Sequence, residues 1–235
     1  MSKFRHEYKY SINLSQAEIL RERAAAVMLP DSHADAGGGY HVRSLYFDTP
    51  YDDCCFENES GVDNRHKYRI RVYGQDSPVI SLEIKSKLYG MTLKESCRIT
   101  REEFEALISD LPLFPSGQQP DALRKFLIAR ERFVLRPKVI VDYDRIPFVY
   151  PDGNVRMTLD MNLCSSNHTE LFFEKHTDAR PVLSEGQELM ELKFDEFIPG
   201  FLLNALSLSG LRRTSFSKYY LCRKFNLDGR DIYDF

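Results

Sequence analysis

The segment HKYRIRVYG at positions 66–74 constrains the fold of this chain most strongly, because two kinds of side chain alternate along it. Cations and a tyrosine occupy every second position, namely Lys67, Arg69, Arg71 and Tyr73, and Tyr68, Ile70 and Val72 lie between them. Successive side chains of a β-strand point to opposite faces of the sheet. The segment therefore predicts a strand with three cations on one face, and the fold must provide surroundings in which these cations can lie side by side.

Five other segments divide their residues in the same way. One face of each is mostly charged or polar and the other mostly apolar, although Glu95 breaks the pattern in its segment. The charged faces comprise Arg5, Glu7 and Lys9; Ser81, Glu83, Lys85 and Lys87; Thr92, Lys94, Ser96 and Arg98; Arg156, Thr158, Asp160 and Asn162; and Glu191, Lys193 and Asp195. This alternation is typical of β-strands.

The whole chain is predicted to form one domain, residues 1–235, of the α+β class with a mainly antiparallel sheet. We predict eight strands, near residues 3–11, 40–48, 66–74, 79–87, 91–98, 136–145, 154–162 and 188–195. Helices are predicted from the capping box SQAE (15–18) to about residue 28, from TREE (100–103) to residue 111, and over residues 121–133, 199–210 and 215–225. They cluster between strands rather than following each one, which favours α+β over a parallel α/β fold.

The composition excludes several classes of protein. The net charge is −3, so no overall basic field indicates a nucleic-acid-binding protein. The longest apolar runs, KVIVDY and PGFLLNALSLSGL, are far too short to span a bilayer, so we expect no membrane insertion. The five cysteines are odd in number and show no C-x-x-C spacing, which favours a reduced, cytoplasmic location over disulfides or a zinc site. The six histidines likewise lack metal-ligand spacing.

Two interpretations of the charged faces remain open from the residues alone. In the first, each face is the solvated outer side of a sheet that covers an ordinary apolar core. In the second, the sheet closes into a barrel, helices cover its apolar outside, and the charged faces line the inside, where a barrel of about eight strands can hold a small ligand. Several cations inside a barrel require a polyanion, water or both, because an unpaired buried charge costs several kcal/mol.

Eight motifs carry a resemblance to a known family. RHEYKY, RSLYFDT, HKYRIRVYG, LEIKSK, YDRIPFV, VRMTLD, MELKFDEF and SFSKYY occur in the order of VTC-type polyphosphate polymerase domains, from about residue 3 to about residue 225. These domains belong to the triphosphate tunnel metalloenzyme superfamily. The resemblance implies an antiparallel eight-stranded β-barrel with flanking helices, whose charged inner face binds triphosphate or polyphosphate. It also implies a stand-alone domain of the bacterial type, so that any membrane or regulatory partner is a separate protein.

The resemblance implies a set of site residues. The catalytic cations are Lys9, Arg69, Arg71, Lys85, Arg145, Arg156 and Lys193; the further substrate contacts are Arg5, Lys67, Lys94, Tyr143, Ser217 and Lys218. Glu191 matches the carboxylate that holds a divalent metal, Mn²⁺ or Mg²⁺. Asp160 and Glu83 are weaker metal candidates, each equally suited to orienting Lys and Arg side chains inside the tunnel.

The implied activity is transfer of the γ-phosphoryl group of ATP to a growing polyphosphate chain, with release of ADP. The hydrolytic branch of the superfamily has an E-x-E-x-K motif on its first strand, whereas this sequence has Arg5, Glu7 and Lys9 there. A cation at the first of these positions removes a metal ligand and adds a phosphate contact, which favours the polymerase branch. Two alternatives stay open: a metal-dependent triphosphatase that uses the same tunnel, and a polyphosphate-binding module without catalytic activity.

Overall fold

A computed structural model describes residues 4–74, 79–109, 113–208 and 210–228 of the chain. Residue 3 of the first predicted strand, residues 110–112 in the predicted second helix and the connection after it, and residue 209 in the predicted fourth helix lie outside the described residues. Among the described helices, none is both long enough and apolar enough to cross a membrane.

The described residues form one large antiparallel sheet and six α-helices. The strands are β1 (His6–Asn13), β2 (Leu29–Pro30), β3 (Tyr40–Asp48), β4 (Arg65–Tyr73), β5 (Ile80–Leu88), β6 (Met91–Ile99), β7 (Arg136–Tyr150), β8 (Val155–Ser166), β9 (Arg180–Pro181), β10 (Gln187–Phe194) and β11 (Arg213–Thr214). The helices are α1 (Leu14–Val27), α2 (Asp53–Glu59), α3 (Arg101–Ile108), α4 (Asp121–Phe133), α5 (Gly200–Leu206) and α6 (Lys218–Asp228). The α+β class is confirmed, and each of the eight predicted strands is present.

Two helix starts show how local sequence sets the boundaries. The capping box predicted at SQAE instead uses the residue that ends β1: Asn13 Oδ1 accepts a hydrogen bond from the Gln16 backbone N–H, and Gln16 Oε1 accepts one from the Asn13 N–H. The predicted box TREE is confirmed, with reciprocal hydrogen bonds between Thr100 and Glu103. Such boxes satisfy N–H groups that have no partner within the helix.

The sheet differs from the predicted closed barrel of eight strands. Its strand order is β11-β1-β10-β8-β7-β3-β4-β5-β6, with β2 added to β7 and β9 to β8, which makes eleven strands among the described residues. Among the described residues, a single bridge connects the start of β1 to β6: Arg5, immediately before β1, and Thr92 exchange backbone hydrogen bonds of 3.1 Å. The pairing between β1 and β6 extends no further, because the strand β11 occupies this side of β1 at Lys9 and Tyr10. The three extra strands have two residues each, too few to show an alternating pattern.

The apolar faces of the strands point outward, beneath the helices. One core cluster joins β4 and β5 to α3 and α4 and includes Ile70, Leu82, Phe104, Leu107 and Phe126. A second cluster joins β8 and β10 to α1 and α5 and includes Leu20, Met157, Leu159, Leu192 and Leu202. Burial of these side chains on the outer surface of the sheet leaves its charged face on the inside.

Candidate functional site

The inner face of the curved sheet encloses a cavity of about 1050 Å³. Fourteen Lys and Arg residues line it, against two residues with carboxylate side chains, Glu7 and Glu191. Every predicted site residue lines this cavity except the metal candidates Asp160 and Glu83, whose side chains are buried in the wall. The second interpretation is therefore right about the placement of the charged faces, which line the inside beneath an apolar, helix-covered outer surface, and wrong about closure of the sheet.

The register of β4, β5 and β6 aligns cations across the strands. Lys67 is opposite Lys85, and Lys85 is opposite Lys94, so three lysines form one row across the sheet. Side chains that are directly opposite in an antiparallel pair have Cβ atoms about 4.5–5.5 Å apart, and like charges at that distance are destabilising. The row is therefore an arrangement that a bound polyanion would stabilise.

The turn between β5 and β6 fixes this register. Tyr89 and Gly90 both have positive φ, 50° and 74°, as the two central residues of a type I′ hairpin turn require. The carboxylate of Asp63 accepts hydrogen bonds from both backbone N–H groups, at 2.8 Å in the case of Gly90. The two-residue turn places Lys94 directly opposite Lys85 and so on the inner face.

Glu83 holds one group of these cations from within the wall. Its side chain is 1% exposed and accepts hydrogen bonds from Arg69 Nε at 2.7 Å and Arg69 Nη2 at 2.5 Å, with Lys94 Nζ at 3.3 Å. Burial acts to raise the pKa of Glu83, but the neighbouring cations, Arg69 first among them, hold that pKa well below its ordinary value. Glu83 is thus a fixed anion that orients Arg69.

Asp160 and Glu191 hold a second group. Asp160 accepts two hydrogen bonds from Arg145, at 2.6 and 2.7 Å, and lies 2.6 Å from Lys218 Nζ. Glu191 accepts hydrogen bonds from Lys218 at 2.8 Å and from Lys193 at 2.5 Å. Although burial acts to raise the pKa of Glu191, Lys193 and Lys218 hold it well below the ordinary range. Both carboxylates therefore stay ionised.

Arg71 is held differently, by neutral groups. Its Nε donates to Ser44 Oγ at 2.9 Å and its Nη2 donates to Tyr143 Oη at 3.1 Å. The guanidinium is thus oriented, and no carboxylate of the described residues is hydrogen-bonded to it. Such a cation offers its full charge to a phosphate group, together with the planar fork of donors that suits phosphate oxygens.

The N-terminal turn of α6 fills one end of the cavity. Ser217 and Lys218 are 4% and 7% exposed. Ser217 Oγ accepts a hydrogen bond from Lys67 Nζ of β4 at 2.6 Å, while Lys218 reaches the opposite wall at Asp160 and Glu191. Burial, followed by the nearby cation Lys9, lowers the pKa of Lys67 well below its ordinary value. A polyanion at this end would favour its protonated form.

Glu7 of β1 reaches across the gap in the sheet to β5. Its carboxylate accepts a hydrogen bond from Lys85 of β5 at 2.7 Å and lies 3.5 Å from Lys9 of β1. Burial acts to raise the pKa of Glu7, but Lys85 and Lys9 hold it well below the ordinary value. Lys9 of β1 and Lys85 of β5 thus approach each other through this carboxylate, although one backbone bridge alone connects the start of β1 to β6 among the described residues.

A family comparison places this arrangement in a known group. The model of the VTC domain matches residues 4–225 of the chain. The chain belongs to the VTC domain family.

Three solved structures share the fold of this VTC domain. A protein from Hippeastrum, described as an adenylyl cyclase candidate with a dominant triphosphatase activity, is 12% identical with a TM-score of 0.54 over 95% of this chain and 96% of that one. A proposed adenylate cyclase from Vibrio parahaemolyticus is 11% identical, TM-score 0.51, over 94% and 98% of the two chains. Another from Bacillus halodurans is 15% identical, TM-score 0.50, over 88% and 92%. The comparison with curated proteins found no match.

The VTC domain offers few ligands to a metal ion. Among the described residues, no group of three or more His, Cys, Asp or Glu side chains is arranged to hold one. Two carboxylates, Glu7 and Glu191, do line the cavity. Mg²⁺ is commonly bound by one or two protein carboxylates while substrate phosphates and water complete its coordination. The donor set therefore fits a divalent ion that arrives with a phosphate substrate.

Sequence reasoning missed several residues that line the cavity of the VTC domain. Arg65 is two positions before Lys67 on the same face of β4, and Lys87 is two positions after Lys85 on β5, so the alternation itself contains the signal for both. Arg213 belongs to the two-residue strand β11, where no periodicity can be seen. Tyr40 and Tyr46 of β3 were missed because that strand lacks the charged alternation of its neighbours.

Proposed function

We propose that this VTC domain is an ATP-dependent polyphosphate polymerase. The family match and the fold support a function that involves binding of triphosphate or polyphosphate. One observation carries the proposal further: fourteen Lys and Arg residues line the cavity against two with carboxylates, and three of the lysines form a row. A row of cations matches a polyanion whose charges repeat along a line.

The reaction is phosphoryl transfer between two polyanions. An oxygen of the terminal phosphate of the polyphosphate chain attacks the γ-phosphorus of ATP, the bond from that phosphorus to the β–γ bridging oxygen breaks, and ADP leaves with the bond electrons. Positioning and charge neutralisation supply most of the catalysis of such transfers. Arg71 and Arg69 would contact the transferred group, since both are fixed in orientation by hydrogen bonds within the wall.

The nucleophile in this reaction is already ionised and requires no general base. Glu7 and Glu191 suit that requirement, because neighbouring lysines hold the pKa of each well below its ordinary value and make them weak bases. Their negative charge is better suited to orienting lysines and holding a divalent metal ion.

Glu191 would hold Mn²⁺ or Mg²⁺, together with phosphate oxygens of the substrate. When bound, the ion neutralises charge on the phosphate oxygens. Asp160 remains the second candidate ligand, but it would first have to release Lys218, which lies 2.6 Å away. Until then Asp160 orients Arg145 and Lys218 toward the substrate.

A metal-dependent triphosphatase is the second candidate function. The observation that favours it is the similar fold of the Hippeastrum protein, whose described activity is dominantly that of a triphosphatase. Against it, Arg5 stands immediately before β1, at the position where the hydrolytic branch has a carboxylate, and its side chain pairs with Asp195 at 3.0 Å.

Analysis of the products separates the candidates. We expect purified protein, given ATP, Mn²⁺ and a short polyphosphate primer, to release ADP and to lengthen the polymer by one phosphate for each ADP. Release of orthophosphate without polymer would identify a triphosphatase instead. Binding of ATP and polyphosphate without any product would identify a binding module. The Arg71→Ala protein serves as the control for contaminating activities.

A further inference from the structure

The row of cations on β4 ends in an aromatic ring. Lys67, Arg69 and Arg71 share the inner face of the strand, and Tyr73 is the next residue on that face and the last of the strand. Tyr73 lines the cavity and is nevertheless 38% exposed. The ring of Tyr40 from the neighbouring strand β3 packs edge-on against it, with centroids 5.5 Å apart and an interplanar angle of 81°.

Two other tyrosines of the cavity contact the same arginines but are much less exposed than Tyr73. Tyr46 and Tyr143 are 5% and 2% exposed, and their hydroxyls accept hydrogen bonds from Arg69 and Arg71. Their rings belong to the wall, and their polar ends orient cations. The ring of Tyr73 remains accessible from the cavity, so it is available to a ligand.

The opposite end of the β4 row presents cations rather than an aromatic ring: Arg65 is the first residue of the strand and Lys67 follows it on the same face. Lys67 Nζ donates to Ser217 Oγ at 2.6 Å and to Asn58 Oδ1 at 2.8 Å, so the turn before α6 and the helix α2 cover Lys67. Of the inner-face residues of β4, Tyr73 alone offers an aromatic surface, so a phosphate chain along this row that carries a nucleoside at one end gains a stacking contact when the nucleoside lies at Tyr73.

The spacing at that end suits a nucleoside. Residues two apart on a strand are about 7 Å apart, which leaves room for a ribose between a phosphate at Arg71 and a base at Tyr73. Two cations lie close by: Arg71 Cζ is 5.8 Å from the centre of the Tyr73 ring, and Arg156 donates to Tyr40 Oη at 2.7 Å. Arg156 is itself held by Asp31 at 2.9 Å, which fixes the position of Tyr40.

We infer that Tyr73, supported by Tyr40, is the subsite that binds the base of a nucleoside triphosphate, with the triphosphate directed inward along β4. The inference rests on the proposed use of ATP and adds the position of the nucleoside to it. Stacking on an aromatic ring is tolerant of base identity, because every base has a π-face. Binding of nucleoside triphosphates as a class should therefore depend on this residue.

The test compares two ligands that differ by the nucleoside. Binding of ATP and of inorganic tripolyphosphate is measured by calorimetry without divalent metal, so that no turnover occurs, for the wild type and for Tyr73→Ala, Tyr73→Phe and Tyr51→Ala. Tyr51 is 80% exposed and does not line the cavity, so its replacement is the matched control. We expect Tyr73→Ala to raise the Kd for ATP about tenfold and to leave the Kd for tripolyphosphate within twofold. Tyr73→Phe, which keeps the ring, should match the wild type with both ligands.

The subsite is wrong if Tyr73→Ala weakens both ligands equally, if it weakens neither, or if Tyr51→Ala has the same effect. A wild-type protein that binds neither ligand would overturn the subsite and the phosphate-binding cavity together. A protein that binds both, shows the expected selective loss, and yet makes no polymer would support the subsite while it overturns the polymerase. The two failures are therefore distinguishable.

Discussion

Arg145 and Asp160 are opposite each other on β7 and β8 and are joined by two hydrogen bonds, 2.6 Å from Nε to Oδ1 and 2.7 Å from Nη2 to Oδ2. The Asp160 side chain is completely buried. A cation that is paired in this way brings less net charge to the cavity than one held by neutral groups. The cavity therefore contains two kinds of cation: Arg69, Arg145 and Lys218 have buried carboxylate partners, whereas Arg71 and Lys67 are bound to neutral side chains.

Asp160→Asn should destabilise the protein, because Arg145 and Lys218 would lose the charge that compensates them. Removing one partner of a buried ion pair costs about 3–5 kcal/mol. Urea unfolding in metal-free buffer measures the loss, and Asp152→Asn at an exposed position is the control. Added tripolyphosphate should restore part of the stability, since it neutralises the same cations. Unchanged metal-free stability together with a weakened response to Mn²⁺ would show that Asp160 serves as a metal ligand instead.

Arg69→Ala and Arg71→Ala should have similar effects on activity and opposite effects on stability. Each removes a cation from the inner face of β4, and loss of one oriented donor to a transition state commonly costs about 100-fold or more in rate. Arg69→Ala also leaves the buried carboxylate of Glu83 without its main partner, so we expect a lower free energy of unfolding. Arg71→Ala removes a donor from neutral side chains, those of Ser44 and Tyr143 among them, and relieves repulsion with Arg69.

Initial rates and melting temperatures of the two proteins check this expectation. The melting temperature should fall for Arg69→Ala and should hold or rise for Arg71→Ala. Synthesis at the wild-type rate by either protein would contradict the assignment of these arginines to the substrate.

The sequence alone predicts nearly all the residues on the inner face of this site, but it does not predict which of them form ion pairs with one another. The alternation of charged and apolar residues predicts that Arg69 and Glu83 each belong to the charged face of their own strand. In the structure both side chains lie on the inner side of the curved sheet. Their contact depends on the β4–β5 register, which is fixed by turns and packing that a single strand does not encode. For the same reason the sequence does not distinguish Arg69, which is paired, from Arg71, which is not.

Short and distant elements account for the remaining errors. β11 has two residues, too few for any period, and yet it covers the edge of β1 that a closed barrel would pair with β6. The helix α2 is seven residues long, and its buried residues Cys54 and Cys55 give no clear helical stripe. In contrast, Ser217 and Lys218 were placed in the site by their resemblance to the family, because nothing in their local pattern indicates that α6 begins inside the cavity.

A group outside the cavity should make stability depend on pH. His41 lies on the outer face of β3, with Nδ1 3.1 Å from Asp144 Oδ1 and Nε2 3.5 Å from Asp142 Oδ1. Interactions with Asp142 and Asp144 raise the pKa of His41 to about 9 from its ordinary 6.5. Because the folded protein binds this proton more tightly, the contribution to stability is fully present below pH 6.5 and is lost as pH rises through about 9.

The difference in unfolding free energy between the wild type and His41→Gln isolates this contribution. We expect the difference to be largest near pH 6 and to shrink toward pH 10, since other titrating groups affect both proteins equally. His176→Gln, at an exposed position, should show no such trend. A difference that is constant with pH would mean that the two aspartates do not stabilise the protonated ring.

Glu191 is the residue on which metal dependence should rest. Its carboxylate lines the cavity and binds Lys193 and Lys218, so it is either the anchor of a divalent ion or only the partner of these lysines. Glu191→Gln separates the two roles, because glutamine keeps the size and one acceptor oxygen but loses the charge that attracts a hard cation. For a metal anchor we expect slower turnover and a higher Mn²⁺ concentration for half-maximal rate, while metal-free tripolyphosphate binding survives or tightens.

The decisive measurement is a titration of activity against Mn²⁺ for the wild type, Glu191→Gln and Glu196→Gln, the last at an exposed position nearby. If Glu191 is only an ion-pair partner, we expect a different result. The free energy of unfolding in urea changes, because Lys193 and Lys218 lose their anion, while the Mn²⁺ concentration for half-maximal rate stays the same. The tripolyphosphate Kd adds an independent readout, since loss of a negative charge from the cavity should strengthen polyanion binding in either case. A metal requirement that is unchanged in Glu191→Gln would therefore exclude Glu191 as the anchor, even if the variant is less active.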